Sequence, residues 1–236
     1  VYRVYASVTS VWGAGDPGVN SLTVGGIPLG LNEVRADAAG EVHTRFDDVT
    51  AELSAYLDAL PVGRNTIPVV EGGIPTRNDG NSLFVVWEDP AFEVASVSLV
   101  YGSQLTSTNP LLTIDTQPID TLAPAFRVDV GVGISFSTGT GGQYSEVTLN
   151  GATVATQAGG YDDGDTFNGA LYTIGGDGDS PNQEHYDATA LVADGDTSVE
   201  VGLDGNSNDD YAVAIWVWVV GAQLSGCPAN PDQDDD

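Results

Sequence analysis

The sequence predicts an all-β protein, a β-sandwich of jelly-roll or immunoglobulin-like type built from two duplicated halves, with one short surface helix. Three observations predict this fold. Runs rich in valine and threonine alternate between apolar and polar residues, and 30 glycines and 12 prolines in 236 residues place turns between them. Such alternation and punctuation are typical of antiparallel sheets. In addition, several segments of the first half recur in the same order in the second.

The first run, Val1–Trp12, alternates over its whole length. Alternation with a period of two places successive side chains on opposite faces of a strand. We therefore predict a long strand that pairs within its own domain or is donated to a neighbouring subunit, which makes it a candidate assembly strand. The residues assigned to this role are Val1, Tyr2, Val4, Ala6, Val8 and Trp12.

The next elements are a hairpin and a helix. Ser21–Leu29 contains a Gly-Gly pair between two apolar runs, which is typical of a β-hairpin. Phe46–Leu60 spaces its apolar residues as an amphipathic helix does, with Asp47 or Asp48 as the N-cap and Pro61 as the stop signal. Four further strands are predicted at Asn65–Val70, Leu83–Trp87, Val94–Tyr101 and Leu111–Ile114.

The internal repeat indicates duplication and a division into residues 1–123, residues 124–226 and an acidic flexible tail, residues 227–236. Whether the halves form two sequential domains or share one large sandwich is left open. The five matched pairs are Tyr2–Val8 with Phe126–Phe136, Leu22–Leu29 with Glu146–Val154, Asp48–Ala51 with Asp187–Ala190, Thr66–Val70 with Thr197–Val201, and Leu83–Trp87 with Ala212–Val220.

The last pair is the most apolar, and it predicts the central core strand of each half. In this alignment Trp216 takes the place of Trp87, and Val213 that of Phe84. The string Asn81-Ser-Leu-Phe-Val-Val-Trp-Glu-Asp-Pro90, followed by Val97-Ser-Leu-Val-Tyr-Gly102, resembles an all-β domain that recurs in large secreted surface proteins of archaea and bacteria. The resemblance implies an exported adhesin, sheath or filament component and supplies no catalytic residues.

The charge of the chain is strongly one-sided. It has 34 acidic residues against 6 basic ones, a net charge of −28, and every basic residue is an arginine. Acids at this density repel one another unless salt screens them, which predicts an extreme halophile, archaeal in character; an acidic mesophilic secreted protein is the alternative. Nucleic acid is excluded as a partner because binding phosphates needs a basic surface, and direct membrane insertion is not expected.

Acidic loops make calcium the candidate cofactor. Oxygen-bearing side chains alternate along one loop, a spacing with which a tight loop can wrap a hard cation, but the central glycine and distal glutamate of an EF-hand are missing. The alternative is that these loops are solvated acids of a halophilic surface. The candidate calcium ligands are Asp204, Asn206, Asn208 and Asp210, together with Asp162, Asp163 and Asp165.

The candidates for carbohydrate chemistry are fewer. Glu88 and Asp89 are paired carboxylates, but adjacent strand residues point to opposite faces, so a glycoside hydrolase is only a remote alternative. Trp216, Trp218 and Tyr161 are candidate aromatics for stacking on sugar rings, with burial in a core as the alternative.

These observations predict a non-enzymatic structural protein located outside the cell, at its surface. We expect a subunit of an extracellular filament, pilus or adhesin that assembles by strand pairing of the donor-strand type at high salt, as a homopolymer or with other surface proteins. The alternative function is a calcium-dependent carbohydrate-binding module with glycans as partners. Cys227, the single cysteine, is either an incidental thiol or an intermolecular bridge.

Overall fold

A computed structural model describes residues 1–72, 78–88, 94–137, 145–158, 170–173, 185–205 and 211–221. Within these ranges the chain is all-β with one short α-helix, as predicted. The strands before the helix α1 (Thr50–Asp58) are β1 (Arg3–Ser10), β2 (Leu22–Val24), β3 (Ile27–Leu29), β4 (Glu33–Ala36) and β5 (His43–Asp48).

After α1 come eleven strands of the described ranges: β6 (Val69–Glu71), β7 (Asn78–Val86), β8 (Ala95–Leu105), β9 (Leu111–Asp115), β10 (Arg127–Ser137), β11 (Ser145–Leu149), β12 (Ala152–Ala158), β13 (Ala170–Thr173), β14 (His185–Asp187), β15 (Ser198–Gly205) and β16 (Tyr211–Val220). Short 3-10 helices lie at Thr106–Thr108 and Thr189–Leu191.

The strands form four antiparallel sheets. Sheet A has the order β4-β5-β1-β7, and sheet B the order β3-β2-β6. Sheet C has the order β13-β10-β16-β8, with β14 also paired to β10, and sheet D the order β12-β11-β15-β9.

The sheets stack in layers because each carries an apolar face. Sheet B and α1 cover one face of sheet A, where Val4, Val24 and Leu53 are fully buried in one cluster. Sheet D covers one face of sheet C, where Val130 and Val201 belong to a second cluster. Burial of apolar surface on this scale is the main contribution to stability.

The remaining faces of sheets A and C pack against each other through aromatic and hydroxyl side chains. Phe84 of sheet A meets Trp216 of sheet C edge-on, with ring centroids 5.0 Å apart. Tyr101 of sheet C stacks on Phe46 at 5.1 Å. Trp216 fits here because Gly131 lies beside it: a Cβ on this glycine would be 1.8 Å from the indole.

The helix is shorter than predicted. It begins after Val49 instead of at Phe46, because Phe46 and Asp47 pair with Ser7 and Ala6 as part of β5. Asp48 still acts at the helix start, since its carboxylate accepts a hydrogen bond from the Thr50 amide at 2.9 Å. The hairpin of β2 and β3 is confirmed, with Gly25 and Gly26 both at positive φ in the turn.

Two expectations about the Leu83–Trp87 run were wrong. β7, which contains residues 83–86 of this run, lies at the edge of sheet A, whereas β16 lies inside sheet C. The alignment of Trp216 with Trp87 was also wrong by five residues. Val86 pairs with Arg3, and Val220 pairs with Arg127, so Val220 is the structural equivalent of Val86.

The sheets do not follow the division into residues 1–123 and 124–226. Strands β8 and β9 precede residue 124, yet β8 pairs with β16 and β9 pairs with β15. Both strands therefore complete the sheets of the second half. Residues 227–236 lie outside the described part of the chain.

Candidate assembly edges and an exposed aromatic row

The strand predicted for assembly lies in the middle of sheet A. β1 pairs with β5 on one edge and with β7 on the other, both in its own chain. Val4, Ala6 and Val8 are fully buried, whereas Tyr2 and Trp12 are exposed. Val1 packs against the same core. The backbone edges of this strand are therefore already occupied.

A different strand, β8, has a free edge among the residues that the structure describes. Within the described residues β8 pairs with β16 only. Its sequence, ASVSLVYGSQL, contains no charged residue over 11 positions, in a chain of net charge −28. Val97 and Val100 are 48% and 44% exposed. Natural proteins commonly protect long edge strands with charges or proline, and β8 has neither.

A second uncharged edge lies on the opposite side of the sandwich. β12, with the sequence ATVATQA, is the terminal strand of sheet D at the end away from β9. β9 lies on the same side as β8, because the Ser98 hydroxyl donates a hydrogen bond to the Asp115 carbonyl at 2.6 Å. The two longest uncharged edge strands of the described chain thus point away from each other.

The candidate stacking aromatics fall into different environments. Trp216 is partly covered in the layer between sheets A and C, against Phe84. Trp218, two residues further along the same face of β16, is 44% exposed. Tyr161 lies outside the described residues. Trp218 is therefore the member of this set that the structure shows at the surface.

Trp218 is the centre of a row of side chains across sheet C. The strand register places Asp129 of β10 on one side of it and Val97 of β8 on the other. Asp187 of β14 pairs with Asp129. Because directly paired residues share a face of the sheet, these four side chains lie on the face that sheet A partly covers.

An arginine fixes the carboxylate of this row. Nε of Arg127 donates to Oδ1 of Asp129 at 2.9 Å and lies 2.7 Å from Oδ2. Asp129 is 1% exposed, so the ion pair offsets the cost of burying this charge. The Arg127 side chain is 57% exposed and lies on the same face of sheet C as Trp218. We call Arg127, Asp129, Asp187, Trp218 and Val97 the Trp218 row.

The first half has an equivalent row with different chemistry. Arg3, Tyr5 and Asp48 occupy the places of Arg127, Asp129 and Asp187. Burial raises the pKa of the Tyr5 hydroxyl, and the nearby Asp48 carboxylate raises it further, while Arg3 opposes the shift. Phe84 stands at the Trp218 position, and Trp216 packs on it. In this row the aromatic side chain is therefore covered by packing against Trp216.

The candidate calcium ligands are mostly outside the described residues, where Asn206, Asn208, Asp210, Asp162, Asp163 and Asp165 all lie. Asp204 is an exposed residue of β15. Among the side chains that the structure describes, no group of three or more His, Cys, Asp or Glu could hold a metal ion. The calcium site stays a prediction.

The paired carboxylates considered for catalysis are at the end of β7. Glu88 is exposed, and Asp89 lies outside the described residues. Arg45, on β5, binds Asp16 through two hydrogen bonds. A cavity of about 190 Å³ lies elsewhere, on sheet D, between Leu111, Thr148 and Asp204.

Comparisons with known proteins identify no family for this chain. No protein-family model matches the chain, and no curated protein matches it. Among solved structures, it is similar to a beta-porphyranase of glycoside hydrolase family 86 from the human gut bacterium Bacteroides plebeius, with 8% identity and a TM-score of 0.34. The match covers 94% of this chain and 30% of that protein, so the chain spans less than a third of its length. At this TM-score the likeness carries no argument.

Within the described ranges, no helix has the length and apolar character needed to cross a membrane. The β8 edge was missed from the sequence, and so were the neighbours of Trp218 in its row, although Trp218 itself was a candidate. Two signals were present: 11 residues without charge in a very acidic chain, and an aspartate, Asp129, between the core valines of β10.

Proposed function

We propose that this chain is a structural subunit of the cell exterior that joins copies of itself by pairing strands at free sheet edges. The observation that carries the proposal is β8, an uncharged strand of 11 residues with a free edge in the described part of the chain. Main-chain hydrogen bonds along such an edge supply affinity, and exposed valines on both faces add contact area.

A second copy is the partner that this edge fits best. In an antiparallel β8 pair, identical residues meet around a two-fold axis near Val100, the middle of the strand. Like charges placed directly opposite are destabilising, and β8 carries none. By contrast, the edge strand β4 carries Glu33 and Arg35, and β9 ends at Asp115.

The β12 edge supplies a second contact of the same kind. A single two-fold contact produces a closed dimer. Two different two-fold contacts on opposite sides of a subunit instead allow further subunits to be added at both ends. Alternating β8 and β12 contacts therefore generate a filament. The net charge of −28 on each copy opposes this assembly at low ionic strength, and molar salt shortens the Debye length to about 3 Å. The charge thus supports a salt-rich exterior.

A charge placed on the edge tests the proposal. Val100→Glu sets two carboxylates opposite each other in the β8 pair, and we expect self-association to weaken by at least about tenfold. The matched control is Val70→Glu, because Val70 is also an exposed strand valine, 62% exposed, but lies on sheet B. Sedimentation velocity in molar salt measures both. Equal assembly of the two variants would contradict the role of β8.

Donation of Val1–Trp12 stays a prediction that requires β1 to leave sheet A. Truncation cannot test it cleanly, because β1 joins β5 to β7 and buries Val4, Ala6 and Val8. The Val100 variant separates the two modes: strand donation by β1 leaves its assembly unchanged, whereas pairing at β8 does not.

A further inference from the structure

We infer that the Trp218 row is a binding face for a neutral sugar chain. This inference does not rest on the proposed assembly, since the central residue of the row, Trp218, lies on the inner strand β16 and not on the β8 edge. The row combines an exposed indole, an aliphatic neighbour, an exposed guanidinium held by buried Asp129, and the exposed carboxylate of Asp187 on adjacent strands. Carbohydrates present both apolar C–H faces and hydroxyl groups, and the row offers partners for both.

The apolar part of the row is a flat platform. Trp218 is 44% exposed and Val97 is 48% exposed, and they are directly paired across β16 and β8. Because both side chains emerge from the same rigid sheet, the platform needs little ordering when a ligand binds. Aromatic side chains offer a large contact area with few rotatable bonds, which suits stacking on a sugar ring.

The polar part is held in place beside the platform. The ion pair between Arg127 and Asp129 fixes the guanidinium next to Trp218. Asp187 is exposed, and its Oδ1 is oriented by a hydrogen bond from the Thr189 amide at 2.9 Å. A planar guanidinium donates to hydroxyl oxygens, and carboxylates accept from hydroxyl hydrogens. Both hydrogen-bonding needs of a sugar are met.

The equivalent row of the first half shows that the backbone does not require an exposed tryptophan here. There, Phe84 stands at the position of Trp218 and is covered by Trp216 and Tyr101. The same scaffold position is thus closed in one half and open in the other. Exposed large aromatics beside ordered polar groups are typical of ligand-binding surfaces.

Charge selects the class of sugar. The Arg127 guanidinium is paired with buried Asp129, so the exposed carboxylate of Asp187 leaves the row negative, on a chain of net charge −28. Sulfated or uronic-acid chains would meet repulsion from the row itself, at contact distances where salt screens charges least. A neutral polysaccharide meets none.

The test uses affinity gel electrophoresis with three neutral polysaccharides, laminarin, xylan and pullulan, in high-salt buffer. We expect the native chain to be retarded by at least one of them, and Trp218→Ala to bind it about tenfold more weakly. Trp87→Ala is the matched control, because Trp87 is also exposed, at 55%, but lies just beyond β7 on sheet A.

A second variant, Asp187→Asn, keeps the shape of the row and removes one charge. It is expected to weaken binding about threefold or more, and thermal unfolding of each variant reports whether it folds. The inference is overturned if no polysaccharide retards the native chain, or if Trp218→Ala and Trp87→Ala bind alike. Self-association measured on the same variants stays at the native level, so failure here is distinct from failure of the assembly proposal.

Discussion

The two halves of the molecule share a set of backbone contacts that is only partly recognisable in their sequences. In the first half the Val4 amide donates to the Thr50 hydroxyl at 2.9 Å, and the Val49 amide donates to the Val4 carbonyl at 2.8 Å. In the second half the Val128 amide donates to the Thr189 hydroxyl at 3.0 Å, and the Ala188 amide donates to the Val128 carbonyl at 2.8 Å.

The strand pairings agree in the same detail. β1 lies between β5 and β7, and β10 is flanked by β14 and β16. The register shifts between Thr9 and Ser10 of β1, and between Gly133 and Ile134 of β10, which are equivalent positions. Bulges are designed features of a fold, so a shared bulge supports duplication strongly.

The halves differ in what surrounds this common frame. β8 and β9 extend the sheets of the second half only, so β16 becomes an inner strand while β7 stays at an edge. Phe84 is covered, whereas Trp218 is exposed. The comparison teaches that backbone contacts preserve the frame, while the added strands and the open row carry the proposed functions.

The largest expected effect comes from a position where the halves fill the same space differently. Gly131 occupies the place of Ser7, and a Cβ there would lie 1.8 Å from Trp216. Gly131→Ala should therefore lower the free energy of unfolding by about 3 kcal/mol through overpacking. Ser7→Ala creates no overlap and loses the 2.6 Å hydrogen bond to Ser82, which should cost about 1 kcal/mol.

Urea unfolding of both variants measures this difference. Trp216→Leu in the Gly131→Ala background is expected to recover part of the loss, because it removes the overlapping ring. If Gly131→Ala lowers the free energy of unfolding no more than Ser7→Ala does, the close fit between Gly131 and Trp216 is not what holds sheets A and C together.

A smaller effect should be equal in the two halves. Thr50→Val and Thr189→Val each remove a hydroxyl that accepts a hydrogen bond from a strand amide, and each should cost about 1–2 kcal/mol. Serine at either position keeps the hydroxyl and serves as the control. If urea unfolding shows that only one of the two valine variants is destabilised, the proposed equivalence of the halves is wrong.

The smallest effect concerns the connection between β1 and β2 in the first half. The hydrogen bond from Arg45 holds the pKa of the Asp16 carboxyl below its ordinary value of 3.8, even though burial opposes this. The contribution of the ionised Asp16 carboxylate to the free energy of unfolding is thus fully present above pH 3.8. It is lost as the pH falls through the lowered pKa. Asp16 is part-exposed, so Asp16→Asn should cost less than about 1 kcal/mol.

Melting temperatures measured between neutral pH and pH 3 check this effect. The native chain and Asp16→Asn should differ near neutrality and converge in acid. A difference that grows as the pH falls would contradict the assigned ion pair.

Much of the fold could be predicted because local patterns set it. The Gly-Gly turn after Val24 and the Asp-Val-Thr segment at Asp48 act through contacts close in sequence, and both lie where they were expected. The partners of long strands are set by distant contacts. The runs around Trp216 and Trp87 look alike in sequence. The pairing of β16 with β10 and of β7 with β1 shows that the two tryptophans are five positions from being equivalent in the two halves.

The candidate sites were harder to predict for the same reason. A periodic strand shows which residues share a face but not whether its edge is free, and Val1–Trp12 and β8 look equally suited to assembly. Exposure of Trp218 beside a covered Trp216 depends on where sheet A ends. Arg127 and Asp129 are two residues apart on β10, but their position next to Trp218 becomes visible only when β10 and β16 are side by side.

The central claim, that copies join through β8, is tested most directly by mixing two charge variants. In sedimentation velocity, Val100→Glu and Val100→Arg should each assemble no further than the pair formed through β12, because like charges meet across the two-fold axis of the β8 contact. An equimolar mixture should assemble as the native chain does, since opposite charges then meet. A mixture that sediments no faster than either variant alone, while the native chain assembles, would contradict the claim.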